Sequence, residues 1–233
     1  MSKPILVVLT GAGISAESGL RTFRDSDGLW EGYKVEDVAT PRAWRRDPEQ
    51  VLRFYNERRK NVQKAQPNEA HKALARLQEE FEVYIVTQNI DDLHERAGSQ
   101  HVLHLHGEIL KMRSERNETP RYPVTGLIEL GDLAPDGHQL RPDVVWFEEA
   151  VPAIAPAVEL MQQADYFMLV GTSLVVYPAA GLIDFVRPEV PKYIIDKHLP
   201  PVGHYQHIIP VEMVATAGVV AAREQLLKAI ANL

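Results

Sequence analysis

Four short polar clusters, each following an apolar run, hold the side chains of this chain that have chemistry to offer. The first, Gly11-Ala12-Gly13-Ile14-Ser15-Ala16-Glu17-Ser18-Gly19, comes directly after Ile5-Leu6-Val7-Val8-Leu9. A β-branched strand feeding a Gly-rich turn bares backbone N–H groups at the strand's carboxyl end, as in sites that hold dinucleotide phosphates. Gly11, Gly13 and Ala16 satisfy the G-x-G-x-x-G/A spacing, a pattern that is weak alone because turns need Gly anyway. The other clusters are Thr87-Gln88-Asn89-Ile90-Asp91 after Val83–Val86, His104-Leu105-His106-Gly107-Glu108 after Val102-Leu103, and Gly171-Thr172-Ser173 after Tyr166–Val170. In a parallel sheet all such ends open on one edge, so amide, carboxylate, imidazole and hydroxyl converge there with the Gly turn. Singly, each cluster reads as a solvated turn, a structural histidine or a common loop. Their joint occurrence points to a nucleotide-binding site.

The elements that must position these groups follow from periodicity. Short apolar runs at Val83–Val86, Val144–Phe147, Tyr166–Val170 and Lys192–Ile195 have the look of parallel strands buried on both faces. Helical spacing lies between them, with Ala70, Ala73, Leu74 and Leu77 in Glu69–Glu80, a similar stretch in Ala153–Ala164, and Leu226, Leu227, Ile230 and Leu233 in Val219–Leu233. Strand alternating with helix predicts an α/β fold, a Rossmann-like parallel sheet with helices on both faces. Two segments, about 25–64 and 109–143, break the rhythm and are expected to form a smaller lobe over the carboxyl edge, leaving a cleft between. Arg21–Trp30 is polar and turn-rich where a hydride-transferring domain would have a second strand and an acidic residue, and it reads as a loop folded over the nucleotide.

Composition narrows the classes. The 233 residues suffice for one large domain with a smaller lobe, and 45% hydrophobic with 24% charged residues is an ordinary globular balance. A formal charge of −7 argues against a general nucleic-acid or anionic-membrane surface. The absence of cysteine excludes disulfides, thiol catalysis and thiolate zinc sites. With neither a signal-peptide pattern nor an apolar run near the ~20 residues of a membrane span, a cytoplasmic location is expected.

In order and approximate spacing, from about Ile5 to Gly218, the four clusters together with Arg21-Thr22-Phe23-Arg24 resemble the sirtuins, the NAD-dependent protein deacylases. The resemblance implies one catalytic domain over 1–233, NAD consumed as co-substrate, acylated protein lysines as substrate, and nicotinamide with O-acyl-ADP-ribose as products. It implies His106 as general base toward a ribose hydroxyl, with Asn89 and Asp91 ordering the ribose and the nicotinamide carboxamide. Gln88 and Ile90 then contact NAD beside them, and Phe23 and Arg24 cover the nicotinamide end. The phosphates rest on Gly11, Ala12 and Gly13 and near Ser173; Ile14, Ser15, Gly171 and Thr172 also contact NAD, and Asp196 and Ala215 serve the adenosine side. Val144, Trp146 and Phe147 meet the substrate peptide. A His104/His106 metal pair is the competing reading of that cluster, but the motif assigns His106 to catalysis.

Tyr55 and Arg58, at i and i+3, resemble the pair of sirtuins that remove succinyl and malonyl groups, called class III; a guanidinium suits a distal carboxylate. A desuccinylase and demalonylase with deacetylase activity is therefore expected, of the bacterial type lacking the four zinc-binding cysteines. No zinc is expected, and packing through Pro120, Tyr122, Pro123, Leu127 and Leu130 is expected to hold the small lobe instead. Two positions depart from the family pattern: Glu148-Glu149 stands where Gly-Glu is usual, and Asp196 where Asn is usual. A sirtuin-like mono-ADP-ribosyltransferase is the alternative; a non-catalytic NAD sensor and a Rossmann dehydrogenase fit less well.

Overall fold

A computed structural model describes residues 3–21, 29–30 and 33–231 of the chain. Eleven strands are present among them: β1 (Ile5–Thr10), β2 (Leu29–Trp30), β3 (Tyr33–Lys34), β4 (Glu82–Thr87), β5 (Val102–His104), β6 (Gly107–Ser114), β7 (Arg121–Pro123), β8 (Leu140–Val144), β9 (Tyr166–Val170), β10 (Lys192–Asp196) and β11 (Ile208–Glu212). The α-helices are α1 (Gly13–Ala16), α2 (Val35–Val38), α3 (Pro41–Arg46), α4 (Pro48–Lys64), α5 (Glu69–Arg76), α6 (Leu93–Arg96), α7 (Ile154–Gln163) and α8 (Ala215–Ala231). None of the described helices is long and apolar enough to cross a membrane.

Six strands form one parallel sheet in the order β11-β10-β9-β1-β4-β5. Period-two alternation divides β1 between two cores: Leu6 and Val8 join residues of α5 and α8, while Val7 and Leu9 join residues of α7 on the other face. Both faces being covered, these strands read as continuous apolar runs. The chain leaves β1 toward β4 on one side and returns to β9 on the other. The carboxyl ends of β1 and β9 therefore flank a topological switch point, where open α/β sheets leave a crevice. The strand β11 had no clear signal in the sequence: it is an edge strand, half-exposed, and carries Pro210, which only an edge tolerates.

The run Val144–Phe147 is not a parallel strand of this sheet. The strand there is β8, which ends at Val144 and pairs antiparallel with β6 in a second sheet ordered β7-β6-β8. Trp146 follows it and is apolar for a different reason: with Val144 it enters a separate core built from α2 to α4, Ile109, Ile128 and Leu140. Pro41 and Pro48 open α3 and α4 at their first turns, where the side chains of Thr40 and Asp47 accept from Ala43 and Gln50 N–H.

Polar ties hold this smaller core without thiolates. Arg59 of α4 donates to the Ile109 and Gly126 carbonyls and to Asn56 Oδ1, while Asn56 exchanges hydrogen bonds with the Ile128 backbone. Burial lowers the Arg59 pKa to about 10. Asp143 of β8 pairs with Arg113 at 3.3 Å and Arg121 at 2.9 Å, fastening all three strands of the small sheet. The apolar residues expected to pack here are corrected in part: Tyr122 packs, but Pro120 and Pro123 are exposed, Leu127 and Leu130 are 52% and 59% exposed, and Val124, Ile128 and Ala134 fill the interior.

Candidate active site

Between the sheet's carboxyl edge and the smaller core lies a cleft of about 620 Å3. One wall is glycine against glycine. Gly13 N–H donates to the Gly171 carbonyl at 2.9 Å, and a Cβ on Gly13 would stand 2.7 Å from Gly171 Cα. Gly171 has φ +62°, and a Cβ there would stand 2.5 Å from the Ile14 nitrogen. Contrary to the sequence reading, the N–H groups of Gly11 and Gly13 are not bare, since they donate to the Val170 and Gly171 carbonyls. Glycine here serves close approach of two backbones instead. Gly11, Ala12, Gly13 and Ser15 line the cleft with Gly171, Thr172 and Ser173. The Ile14 side chain turns into the core with no exposure. Asp196 and Ala215 also line the cleft, and Glu17 tethers the turn to α8 by accepting from Thr216 N–H at 3.0 Å and its hydroxyl at 2.7 Å.

The ends of β4 and β5 supply the floor. Gln88 Nε2 donates to Thr172 Oγ1 at 3.1 Å, bridging two of the clusters. Asn89 Nδ2 donates to the Gly11 carbonyl at 3.2 Å and to Ser15 Oγ at 3.1 Å; that hydroxyl in turn donates to Asp91 Oδ2 at 3.1 Å. Asp91 also accepts from Leu93 N–H at 3.2 Å, yet burial raises its pKa above the ordinary carboxylate range. His106 Nδ1 lies 2.9 Å from the Gln88 carbonyl, which can only accept, so the proton sits on Nδ1 and Nε2 carries the lone pair. Burial lowers the His106 pKa despite that hydrogen bond, keeping the ring neutral near pH 7. Both nitrogens of His104 are engaged elsewhere, with the Asn89 carbonyl at 2.9 Å and Glu95 at 2.7 Å. Burial opposes a charge on His104, but Glu95 outweighs it and raises the pKa.

A second wall comes from the smaller core. Tyr55 and Arg58 lie on one side of α4, both nearly buried, and both line the cleft with Val144, Trp146 and Phe147. The Tyr55 ring packs edge-on to Phe54 at 4.9 Å and tilted to Trp146 at 6.5 Å. Arg141 stacks 3.2 Å over Trp146 and grips Glu149 through two hydrogen bonds, fixing the indole from behind. Ile90 completes the lining. Phe23 and Arg24 lie outside the described residues.

Behind the floor are residues that motif reading missed. His71 of α5 accepts Asn68 N–H at Nδ1, a capping box that leaves its Nε2–H toward Ser15 Oγ at 3.5 Å. His94 Nε2 donates to Thr10 Oγ1 at 3.1 Å, which donates to Thr87 Oγ1 at 2.8 Å, which accepts Asn89 N–H at 3.1 Å. The two imidazoles meet edge-to-face at 4.9 Å. The available signal was a histidine beside Ala70, Ala73 and Leu74 on an apolar helix face, since a buried polar group needs partners.

Burial lowers the His71 pKa to about 4 and sends that of His94 well below 6.5. The unfolded chain therefore binds more protons than the folded one as pH falls from about 6.5 toward 4. The stabilisation from a neutral His71, on the order of 3 kcal/mol, is complete above pH 6.5 and is lost through that window. The unfolding midpoint measured against pH is expected to fall less steeply between pH 6.5 and 4 in His71→Gln than in the wild type; parallel slopes would contradict this.

Comparisons with known proteins give the family and support the fold. The Sir2 family model matches residues 11–178. A curated NAD-dependent protein deacylase of Helicobacter pylori is 53% identical over 200 residues, covering 84% of this chain and 87% of that protein. One of Bacteroides thetaiotaomicron is 53% identical over 197 residues, covering 82% and 84%. A solved Sir2 homologue–NAD complex superposes with TM-score 0.86 at 37% identity, covering 97% of this chain and 91% of that one. The fold is thus a Rossmann-like parallel sheet with a small antiparallel lobe. The chain belongs to the Sir2 family.

Proposed function

We propose that this chain is an NAD-dependent protein-lysine deacylase that prefers acidic acyl groups, succinyl and malonyl, with deacetylase activity alongside. The observation that carries the preference is a tyrosine hydroxyl and a guanidinium, nearly buried on one side of α4, lining the same cleft as His106, Asn89 and Asp91. Family membership and the curated deacylases at 53% identity support the NAD dependence.

In this reading NAD supplies an electrophilic ribose carbon, to which the acyl oxygen is transferred as nicotinamide leaves. Gly11 to Gly13 and Gly171 to Ser173 form a surface without bulky side chains for the pyrophosphate, and Asp196 accepts from the adenosine ribose. Asn89 and Asp91 orient the nicotinamide riboside, held by Ser15. The neutral His106 takes a ribose proton at Nε2. Val144, Trp146 and Phe147 receive the acyl-lysine, and Tyr55 and Arg58 bind its distal carboxylate, the guanidinium by a bidentate contact.

The test is kcat/KM for one peptide carrying succinyl-, malonyl-, glutaryl- or acetyl-lysine in turn, each with and without NAD. Acidic acyl groups turned over faster than acetyl, and only with NAD, support the proposal. Preference for acetyl overturns the acyl assignment, and radiolabel from NAD appearing on the peptide would point to mono-ADP-ribosyl transfer instead.

A further inference from the structure

Glu148 stands at the mouth of the cleft with φ 73°, in the left-handed region that costs a side chain strain and costs glycine none. Its neighbour Glu149 faces inward, where Arg141 holds both its oxygens and Trp146 N–H donates to one of them. Glu148 faces outward, its side chain 44% exposed. It pairs with Arg42 of α3, which is 67% exposed and does not line the cleft. An ion pair this open to water is weak and exchangeable. One of two adjacent carboxylates therefore builds the turn, while the other sits on the rim, in a conformation glycine would adopt more cheaply. Strain retained at a binding cleft points to use there.

We propose that Glu148 selects the protein substrate by charge: lysine or arginine flanking the acylated lysine displaces Arg42 and pairs with the Glu148 carboxylate. The inference rests on the deacylase reading and adds a sequence preference to it. Arg42 acts as the competitor that tunes the preference, since it occupies the carboxylate until a substrate cation arrives.

The experiment compares kcat/KM for two succinyl-lysine peptides, one flanked by lysines and one by glutamates, at low salt and saturating NAD. The wild type is expected to favour the lysine-flanked peptide about 3-fold or more. The preference shrinks in Glu148→Gln, which keeps the side chain's shape, and grows in Arg42→Gln. In Glu148→Gly it shrinks while the unfolding midpoint rises, because glycine accepts this φ without strain. Equal turnover of the two peptides by the wild type, or a preference unchanged in Glu148→Gln, overturns the inference and leaves the deacylase reading standing. Absence of NAD-dependent turnover on both peptides overturns the two together.

Discussion

His106→Ala is expected to lower NAD-dependent deacylation by about 10²- to 10⁴-fold, the usual cost of removing a general base. The residue follows β5 at the carboxyl edge of the sheet, and its Nδ1–H is committed to the Gln88 carbonyl at 2.9 Å. That bond sets the tautomer and leaves Nε2 as the only site able to take a proton. Burial lowers the pKa below 6.5, so the base is already deprotonated at neutral pH, and kcat/KM should lose activity only on the acid side, with its limb below pH 6.5. The Gly turn and the Asn89–Ser15–Asp91 bonds do not involve His106, so the variant should fold and still bind NAD. A folded, NAD-binding variant with near wild-type turnover would remove His106 from the mechanism.

The second large effect concerns acyl choice. Arg58→Met should take the partner from a succinyl carboxylate in a partly dehydrated cleft, at a cost of about 2–5 kcal/mol. That is roughly 30- to several-thousand-fold in kcat/KM for succinyl-lysine. Acetyl-lysine has no distal carboxylate, and its turnover should change little or rise. Tyr55→Phe should act in the same direction but more weakly, since it removes one neutral donor worth about 0.5–1.5 kcal/mol. Because Tyr55 packs on Phe54 and Trp146, the diagnostic quantity is the succinyl-to-acetyl ratio, which cancels any general damage to the wall. The ratio must fall in both variants and further in Arg58→Met. Equal losses on both acyl groups would mean that this face of α4 supports the structure and does not read the acyl chain.

The parallel sheet was legible because its central strands are buried on both faces, so that Ile5–Leu9, Val83–Val86 and Tyr166–Val170 announce themselves as uninterrupted apolar runs. Residues of the polar clusters after each run line one cleft, since topology carries all those ends to one edge. Local pattern did not show what depends on tertiary contact. Val144–Phe147 carries the same apolar composition as a sheet strand, yet Trp146 owes its burial to α4 and to Arg141. The small lobe was misread at Leu127 and Leu130 because apolar type does not say which side of a loop faces inward. In the Gly turn the residues line the cleft, but their N–H groups are not bare. The spacing suggested free N–H groups, whereas Gly11 and Gly13 spend theirs on the backbone of the β9 end. His71 and His94 were hidden by chain distance, being 56 residues from Ser15 and 84 from Thr10 respectively.

The measurement that bears most directly on the central claim is the stoichiometry of one reaction. A succinyl-lysine peptide is incubated with the protein, with and without NAD, and peptide, nicotinamide and nucleotide products are quantified together by mass spectrometry. One nicotinamide is expected for each succinyl group lost, with the succinyl group recovered on ADP-ribose and an unchanged peptide without NAD. Loss of the succinyl group without NAD, or release of nicotinamide with every succinyl group still on the peptide, would contradict it.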